Sequence, residues 1–401
     1  MKKREKILFI NGSLRIGGVR RSLVNLLNNI DYTKYEVDLL LFYQGGELIE
    51  DVPKEVNFIR GNYWLKLIGM SMKEVIRSKN IGNIIVRGII GLLSRIINNR
   101  YIFKFIFATH SLRKEYDVGI AYSHNNGIHG LYGGIYQYLI WNTNATQKVG
   151  WIHTDYRMLK NDFQWESELF ELLDGIVNIS KANEFAFLEK MPQYEDKCFV
   201  IYNSVIADKI KTLAKEKAAN SLTKKDGYKG VSVARLDDNK AVYRVINAVA
   251  HLNDIGHKLN WIIVGDGPNM ERLKKQVREK KLTERIIFVG NKKNPYPYIE
   301  QADFLCVSSI FEGMPMVVEE AFVLGKPVIV TEYAAARERI NSGKNGIIVE
   351  NSDDGLYRGL KEWIENPNIL NEYISNAKNA TNLTSSSING FEDMIAKLKD
   401  K

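Results

Sequence analysis

Short runs of valine, isoleucine and leucine alternate with helix-like segments along almost all of the 401 residues. The first six runs are Ile7–Asn11, Glu36–Phe42, Val118–Tyr122, Val149–His153, Gly175–Ile179 and Phe199–Tyr202. Six more are Tyr228–Ala234, Asn260–Val264, Ile286–Val289, Phe304–Val307, Pro327–Val330 and Gly346–Val349. Many are continuous rather than alternating, as in strands buried on both faces. Helical patterns such as Ala241–Ile255, Asn269–Lys280 and Asp353–Glu365 lie between them. Strand–helix alternation of this length predicts parallel, doubly wound α/β sheets. A polar, Lys-rich stretch from Lys209 to Asp226 divides the two sets. We expect one domain over 1–205, rejoined by a C-terminal helix at about 384–401, and a second over 206–383. Ligands of such sheets sit at the carboxyl ends of the strands, so two sheets facing each other predict a site in a central cleft.

Composition removes other classes. An apolar fraction of 45% with 26% charged residues excludes a disordered tail or a collagen. Two cysteines, Cys198 and Cys306, stand far apart without metal-ligand spacing, which excludes a disulfide scaffold and a cysteine zinc site. The charged start followed by Ile7–Ile10 is too short for a signal sequence and reads as a cytosolic first strand. No 18-residue apolar run exists, so no membrane-spanning helix is expected.

The net charge is +9, and its distribution is uneven. Between Arg60 and Glu115 stand eleven Lys/Arg and two Glu, enough to account for the whole excess. The same stretch is rich in Ile, Leu and aromatic residues from Trp64 to Phe107. Helices that are apolar on one side and basic on the other can lie in an anionic membrane surface. They can equally be core helices with solvated basic faces. Nucleic acid is not expected as a partner, because no nucleic-acid module is visible.

Four segments carry chemistry. From Phe311 to Phe322 the chain holds Glu312, Gly313, Met314, Pro315, Met316, Glu319 and Glu320. Pro315 suits the first turn of a helix, and the apolar run from Met316 predicts that the helix is buried. A carboxylate there is costly unless something binds it, so Glu320 is a candidate to hold a ribose diol. Read as structure alone, one Glu would be a salt bridge and the other a cap. Arg235 ends a strand, and Lys240 stands where its charge opposes the dipole of the next helix, so the two could share a diphosphate. Gly17 and Gly18 open the first helix and permit close approach of phosphate or sugar; a simple tight turn is the other reading. Gly265-Asp266-Gly267-Pro268 reads as a strand-to-helix turn rather than a dinucleotide site, because Pro268 and the missing third glycine break the fingerprint. His153 ends a strand and is either a site residue or structural.

The order of these segments resembles the retaining family-4 glycosyltransferases of the GT-B fold, notably bacterial enzymes that build capsular, exopolysaccharide or wall glycans. The resemblance runs from Gly17-Gly18 to about Val349. It is strongest over Glu312, seven residues, Glu320, followed by Gly325-Lys326-Pro327-Val328. Arg235 with Lys240 looks like the family's diphosphate clamp. The chain departs from the family at Arg20, where Glu is usual, and at Ala241, where Gly is usual. The resemblance implies two Rossmann-like domains and a donor that is a nucleoside-diphosphate sugar, UDP-linked in most members. It implies a glycan or lipid-linked acceptor, work at the inner face of the membrane, no cofactor and no metal. Glu320 would hold the ribose, and Arg235 and Lys240 would neutralise the leaving diphosphate. Glu312 and the backbone from Gly313 to Met316 would contact the sugar. Gly17 and Gly18 would face phosphates or acceptor, and His153 the sugar. A sugar-nucleotide epimerase, a phosphorylase and a non-catalytic nucleotide-binding subunit are the alternatives on the same fold.

Overall fold

The computed structural model describes residues 3–124, 127, 129–131, 133–159, 163–218, 226–377 and 384–400. These divide into two compact units, Met1–Ser204 with Ser385–Lys401, and Val205–Thr384. Residue 383, the expected end of the second domain, lies outside the described residues, as does part of the polar stretch before Tyr228.

The first unit is built on seven strands: β1 (Glu5–Asn11), β2 (Tyr35–Leu41), β3 (Asn57–Arg60), β4 (Leu112–Ala121), β5 (Thr143–Ile152), β6 (Gly175–Asn178) and β7 (Cys198–Val200). Their order is β3-β2-β1-β4-β5-β6-β7, with parallel neighbours throughout. Ile7, Leu8, Phe9 and Ile10 are fully buried, as expected for a central parallel strand. Strand β3 was not expected from the sequence. Its four residues form a half-exposed edge, so they carry no apolar run to mark them. The helix Thr384–Lys399 closes this unit: Phe391 stacks on Phe9, ring centroids 6.2 Å apart, and Lys34 pairs with Glu392 at 2.9 Å.

The basic stretch folds as helices Tyr63–Gly69, Met72–Arg77, Ile81–Ile96 and Asn99–Phe107. Tyr63–Gly69 and Asn99–Phe107 bury Leu65, Leu67, Ile68, Phe103, Ile106 and Phe107 as core helices do, whereas in Ile81–Ile96 Ser94 is the only fully buried residue. No helix among the described residues is long and apolar enough to cross a membrane.

The second unit holds β8 (Tyr228–Val233), β9 (Leu259–Val264), β10 (Ile286–Gly290), β11 (Phe304–Val307), β12 (Val328–Thr331) and β13 (Gly346–Val349). The order is β10-β9-β8-β11-β12-β13, again parallel. Trp261, Phe304 and Trp363 are buried in the core beneath it, joined edge to face. Chain order reverses between β8 and β11 here, and between β1 and β4 in the first unit. Crevices at such reversals, beyond the strand ends, are where open α/β sheets bind ligands.

Candidate active site

In the second unit, the loops leaving β8 and β11 form the site at the reversal point. The β8 loop is shaped by its neighbour. Gly265 has φ +144°, and a Cβ there would stand 1.8 Å from the carbonyl oxygen of Ala234. A Cβ on Gly267 would stand 2.3 Å from the oxygen of Leu236. The two glycines let the β9 turn lie against residues 234–236, and the Leu236 amide donates to the Asp266 carbonyl at 3.0 Å. This is the strand-to-helix turn expected from Pro268, with a supporting task.

Arg235 reaches out from that loop. Its side chain is 75% exposed and its Nε donates to Asp237 Oδ2 at 2.6 Å. Asp237 Oδ1 in turn accepts from the backbone amide of Lys240 at 3.0 Å. One carboxylate therefore spaces the two cations without neutralising the Lys240 ammonium, which turns to Glu312 instead. Lys240 Nζ lies 2.5 Å from Glu312 Oε1, and Ser309 Oγ donates to the same oxygen at 2.6 Å. Asn239 locks the loops further: its Nδ2 donates to the Phe311 carbonyl and its Oδ1 accepts the Phe311 amide, both at 3.1 Å. Ala241, next after Lys240, has φ +44° and caps the helix Val242–Asp254. That left-handed conformation explains why a glycine suits the position, and the alanine holds it at a steric cost.

Helix Met316–Val323 is buried, with Pro315 at its N-cap rather than in the first turn as expected. Pro315 is suited to that place because its fixed φ leads into the helix and its missing N–H leaves no donor unmet. Gly313, Met314 and Met316 are buried around the helix start. Glu320 is buried and accepts from Tyr296 Oη at 3.2 Å. Glu319, also buried, is paired with Arg339, whose Nη2 donates to Oε2 at 2.6 Å. Glu319 is thus held by an ion pair inside the protein. Burial, reinforced by the Glu312 and Glu319 carboxylates, pushes the Tyr333 phenol well above its ordinary value. Tyr333 therefore stays protonated beside both.

In the first unit, Gly17 is the N-cap of helix Gly18–Leu27, which has no side-chain cap. A Cβ on Gly18 would meet nothing within 4 Å, so the backbone there is open to a ligand. Arg20 and Arg21 occupy the first turn, a placement that opposes the dipole. His153 follows β5 and is buried between Tyr122, 4.8 Å away, and Trp151, 6.3 Å away. Its Nε2 donates to the Tyr122 carbonyl at 2.7 Å, which leaves Nδ1 as the acceptor. Burial and the nearby His124 push the His153 imidazole down to about 3, against the Tyr122 bond, so it is neutral near pH 7.

The structure joins Lys240 directly to Glu312 and links Arg235 to Lys240 through Asp237. It places Glu320 on the adjoining helix, and Gly17, Gly18 and His153 in the other unit. Asp237, Asn239, Tyr296, Tyr333 and Arg339 were not singled out from the sequence; they are common residues whose role depends on fold contacts. Ser309 belongs to Ser308-Ser309, which resembles the family's usual approach to the Glu312–Glu320 signature.

Residues 214–380 match the family of glycosyl transferases group 1. The chain is 28% identical over 242 residues to the N-acetylgalactosamine-N,N'-diacetylbacillosaminyl-diphospho-undecaprenol 4-alpha-N-acetylgalactosaminyltransferase of Campylobacter jejuni, covering 60% of this chain and 64% of that protein. It is 31% identical to an uncharacterized glycosyltransferase of Methanocaldococcus jannaschii, covering 53% and 54%. The chain thus spans less than two thirds of either relative. Among solved structures, the Anabaena HepE protein in complex with UDP and glucose superposes with a TM-score of 0.68 at 15% identity, over 98% of this chain and 100% of that one. A Rickettsia africae glycosyltransferase superposes at 0.69 with 17% identity, over 99% of each chain. Two parallel-sheet units, a reversal-point site and these matches give one conclusion: the chain has the GT-B fold, and its residues 214–380 are similar to the group 1 glycosyl transferases.

Proposed function

We propose that the protein is a retaining glycosyltransferase that moves a sugar from a nucleoside-diphosphate sugar, UDP-linked, to a lipid-linked or cell-surface glycan. The observation that carries the reading is the contact of Lys240 with Glu312 at the reversal point between β8 and β11. It holds a cation and a sugar-binding carboxylate together where an α/β sheet takes its ligand. Glu320 binds the ribose diol, with Tyr296 orienting its carboxylate. The backbone from Gly313 to Met316 and the Glu312 carboxylate contact the donor sugar. Arg235 and Lys240 face the diphosphate and stabilise the charge that grows on it as the glycosidic bond breaks. Their two positive charges do the neutralising, and the reading needs no metal or cofactor. The donor phosphate oxygen takes the proton of the attacking acceptor hydroxyl on the face the leaving group departs from, which retains the anomeric configuration. Within the first unit, Gly17 and Gly18 leave a helix N-terminus open to a phosphate or sugar, and His153 Nδ1 is an acceptor for a sugar hydroxyl.

The C. jejuni protein's name, which specifies an undecaprenol-linked acceptor, supports the acceptor class, and the UDP held in the HepE structure supports the donor nucleotide. A lipid-linked acceptor places the enzyme on the inner face of the membrane. The test is a thermal-shift panel of UDP, GDP, ADP, CDP and UDP-sugars, with Glu320→Ala and Arg235→Ala beside the wild type. Ligand at one hundred times Kd stabilises by about 2.7 kcal/mol. We expect one base to raise Tm and both substitutions to remove the rise. No rise with any nucleotide would overturn the reading.

A further inference from the structure

We infer that helix Ile81–Ile96, with the two short helices flanking it, is a docking face for an anionic lipid surface. The helix has two opposed sides. Ser94 marks the inner one, and Ile84 and Ile90 pack there on a small cluster of Leu67, Met70 and Val75. The outer side carries Ile81, Ile85, Ile89, Leu92 and Ile96, spaced four, four, three and four residues apart, so they form one stripe. All five are more than half exposed, and Ile81 and Ile96 exceed 70%. Met72 and Ile76 on the preceding helix and Tyr101 and Phe105 on the following one are exposed as well, each pair one turn apart. Twelve of the eighteen exposed large apolar side chains among the described residues fall between Tyr63 and Phe105. A patch that concentrated is not the scattered exposure of an ordinary surface.

Charge selects the occupant. Lys73, Arg77, Arg95 and Lys104 are exposed on these helices, Lys66 on the helix before them and Lys79 in the turn before Ile81, and the region from Arg60 to Glu115 carries the chain's whole net excess. A second copy on this face would set that positive charge against itself. An anionic bilayer answers both features: acyl boundary for the stripe, headgroup charge for the lysines and arginines. The face is also fixed to the glycine loop. Arg15, two residues before Gly17, donates through Nε to Glu74 Oε1 at 2.9 Å and through Nη2 to the Gly69 carbonyl at 2.7 Å. Docking the face therefore sets the distance of that loop from the lipid surface. This deepens the lipid-linked acceptor reading and rests on it for its purpose, though not for its test.

The experiment is flotation of the full chain with vesicles of phosphatidylcholine alone or with about one third phosphatidylglycerol, without any sugar nucleotide. The face binds the mixed vesicles and not the neutral ones. Ile85→Glu with Ile89→Glu, both solvent-facing positions, lowers the bound fraction at least tenfold while the circular dichroism spectrum is unchanged. Arg77→Glu with Arg95→Glu removes the preference for phosphatidylglycerol. Equal flotation with both vesicles, none with either, or wild-type binding by the Ile85/Ile89 variant would each overturn the inference. So would a wild-type dimer in sedimentation that the same variant dissolves, because the occupant would then be a second copy. Failure here leaves the nucleotide thermal shift untouched, so the two readings fall separately.

Discussion

Lys240 Nζ and Glu312 Oε1 meet at 2.5 Å although 72 residues separate them in the chain. The contact closes the crevice between the loops after β8 and β11 and holds a lysine poised for phosphate. Lys240→Ala removes the point charge at the leaving group. We expect turnover with the donor found by thermal shift to fall by about 10²–10³, the range for losing one stabilising group of this kind. Lys240→Arg keeps the charge but not the compact geometry and recovers only part of the rate. Steady-state kinetics of the three proteins checks this; an alanine variant within threefold of wild type would remove Lys240 from the mechanism.

Glu320 and Tyr296 define the second prediction. Glu320→Gln keeps shape and loses the anion that binds a diol, so nucleotide affinity falls about tenfold, or about 1.4 kcal/mol. Tyr296→Phe removes one buried donor and costs about 0.5–1.5 kcal/mol of the same binding. Titration calorimetry with the nucleotide reads both.

Buried Glu319 and its partner Arg339 provide a stability test that does not depend on function. Arg339→Ala strands a buried carboxylate and is expected to cost about 3–5 kcal/mol. Replacing both, Glu319→Leu with Arg339→Met, is expected to be close to neutral or stabilising, because the desolvation of two charges is removed together. Urea unfolding of the two variants decides, and similar losses in both would contradict the pairing.

Gly265→Ala places a Cβ against the Ala234 carbonyl at a φ that alanine avoids. We expect a loss of about 2–4 kcal/mol by the same measurement, and weaker nucleotide binding because the Arg235 loop must shift.

His153 supplies a pH dependence. Its pKa is pushed down to about 3 in the fold, against about 6.5 when unfolded. Between these values the unfolded chain binds a proton that the folded chain refuses. Stability is therefore complete above pH 6.5 and falls on acidification through that window, by about 1.4 kcal/mol per pH unit once well below 6.5. His153→Gln should flatten the loss of Tm between pH 6.5 and 5. An unchanged slope would show that the histidine titrates normally.

Architecture was readable because β1, β6, β9, β11, β12 and the C-terminal halves of β4 and β5 bury both faces, and continuous apolar runs report that directly. β3 was not, since an edge strand of four half-exposed residues has no such pattern. In the site, Lys240 and Glu320 stood out as charges in places where charge is costly without a partner, and Arg235 and Glu312 by their places at a strand end and before a helix, with the resemblance beside them. Tyr296, Tyr333 and Arg339 did not, because nothing local distinguishes a tyrosine or arginine that will later meet a buried carboxylate.

From the residues alone one reads most of the strands and helices, β3 aside, where the basic charge is concentrated, and which charged residues are candidates for a diphosphate sugar. Local chemistry suffices for these, as they depend on periodicity, composition and spacing. Which partner each charge takes is settled by packing between distant segments. Lys240 chose Glu312 over Asp237, and Glu319 took Arg339 while Glu320 took Tyr296. Such packing alone decided which side of Ile81–Ile96 is covered, since Ile84 and Ile90 are as apolar as Ile81 and Ile85. Both outcomes depend on contacts between segments distant in the chain, and those exist only once the sheets have set the loops and helices beside one another.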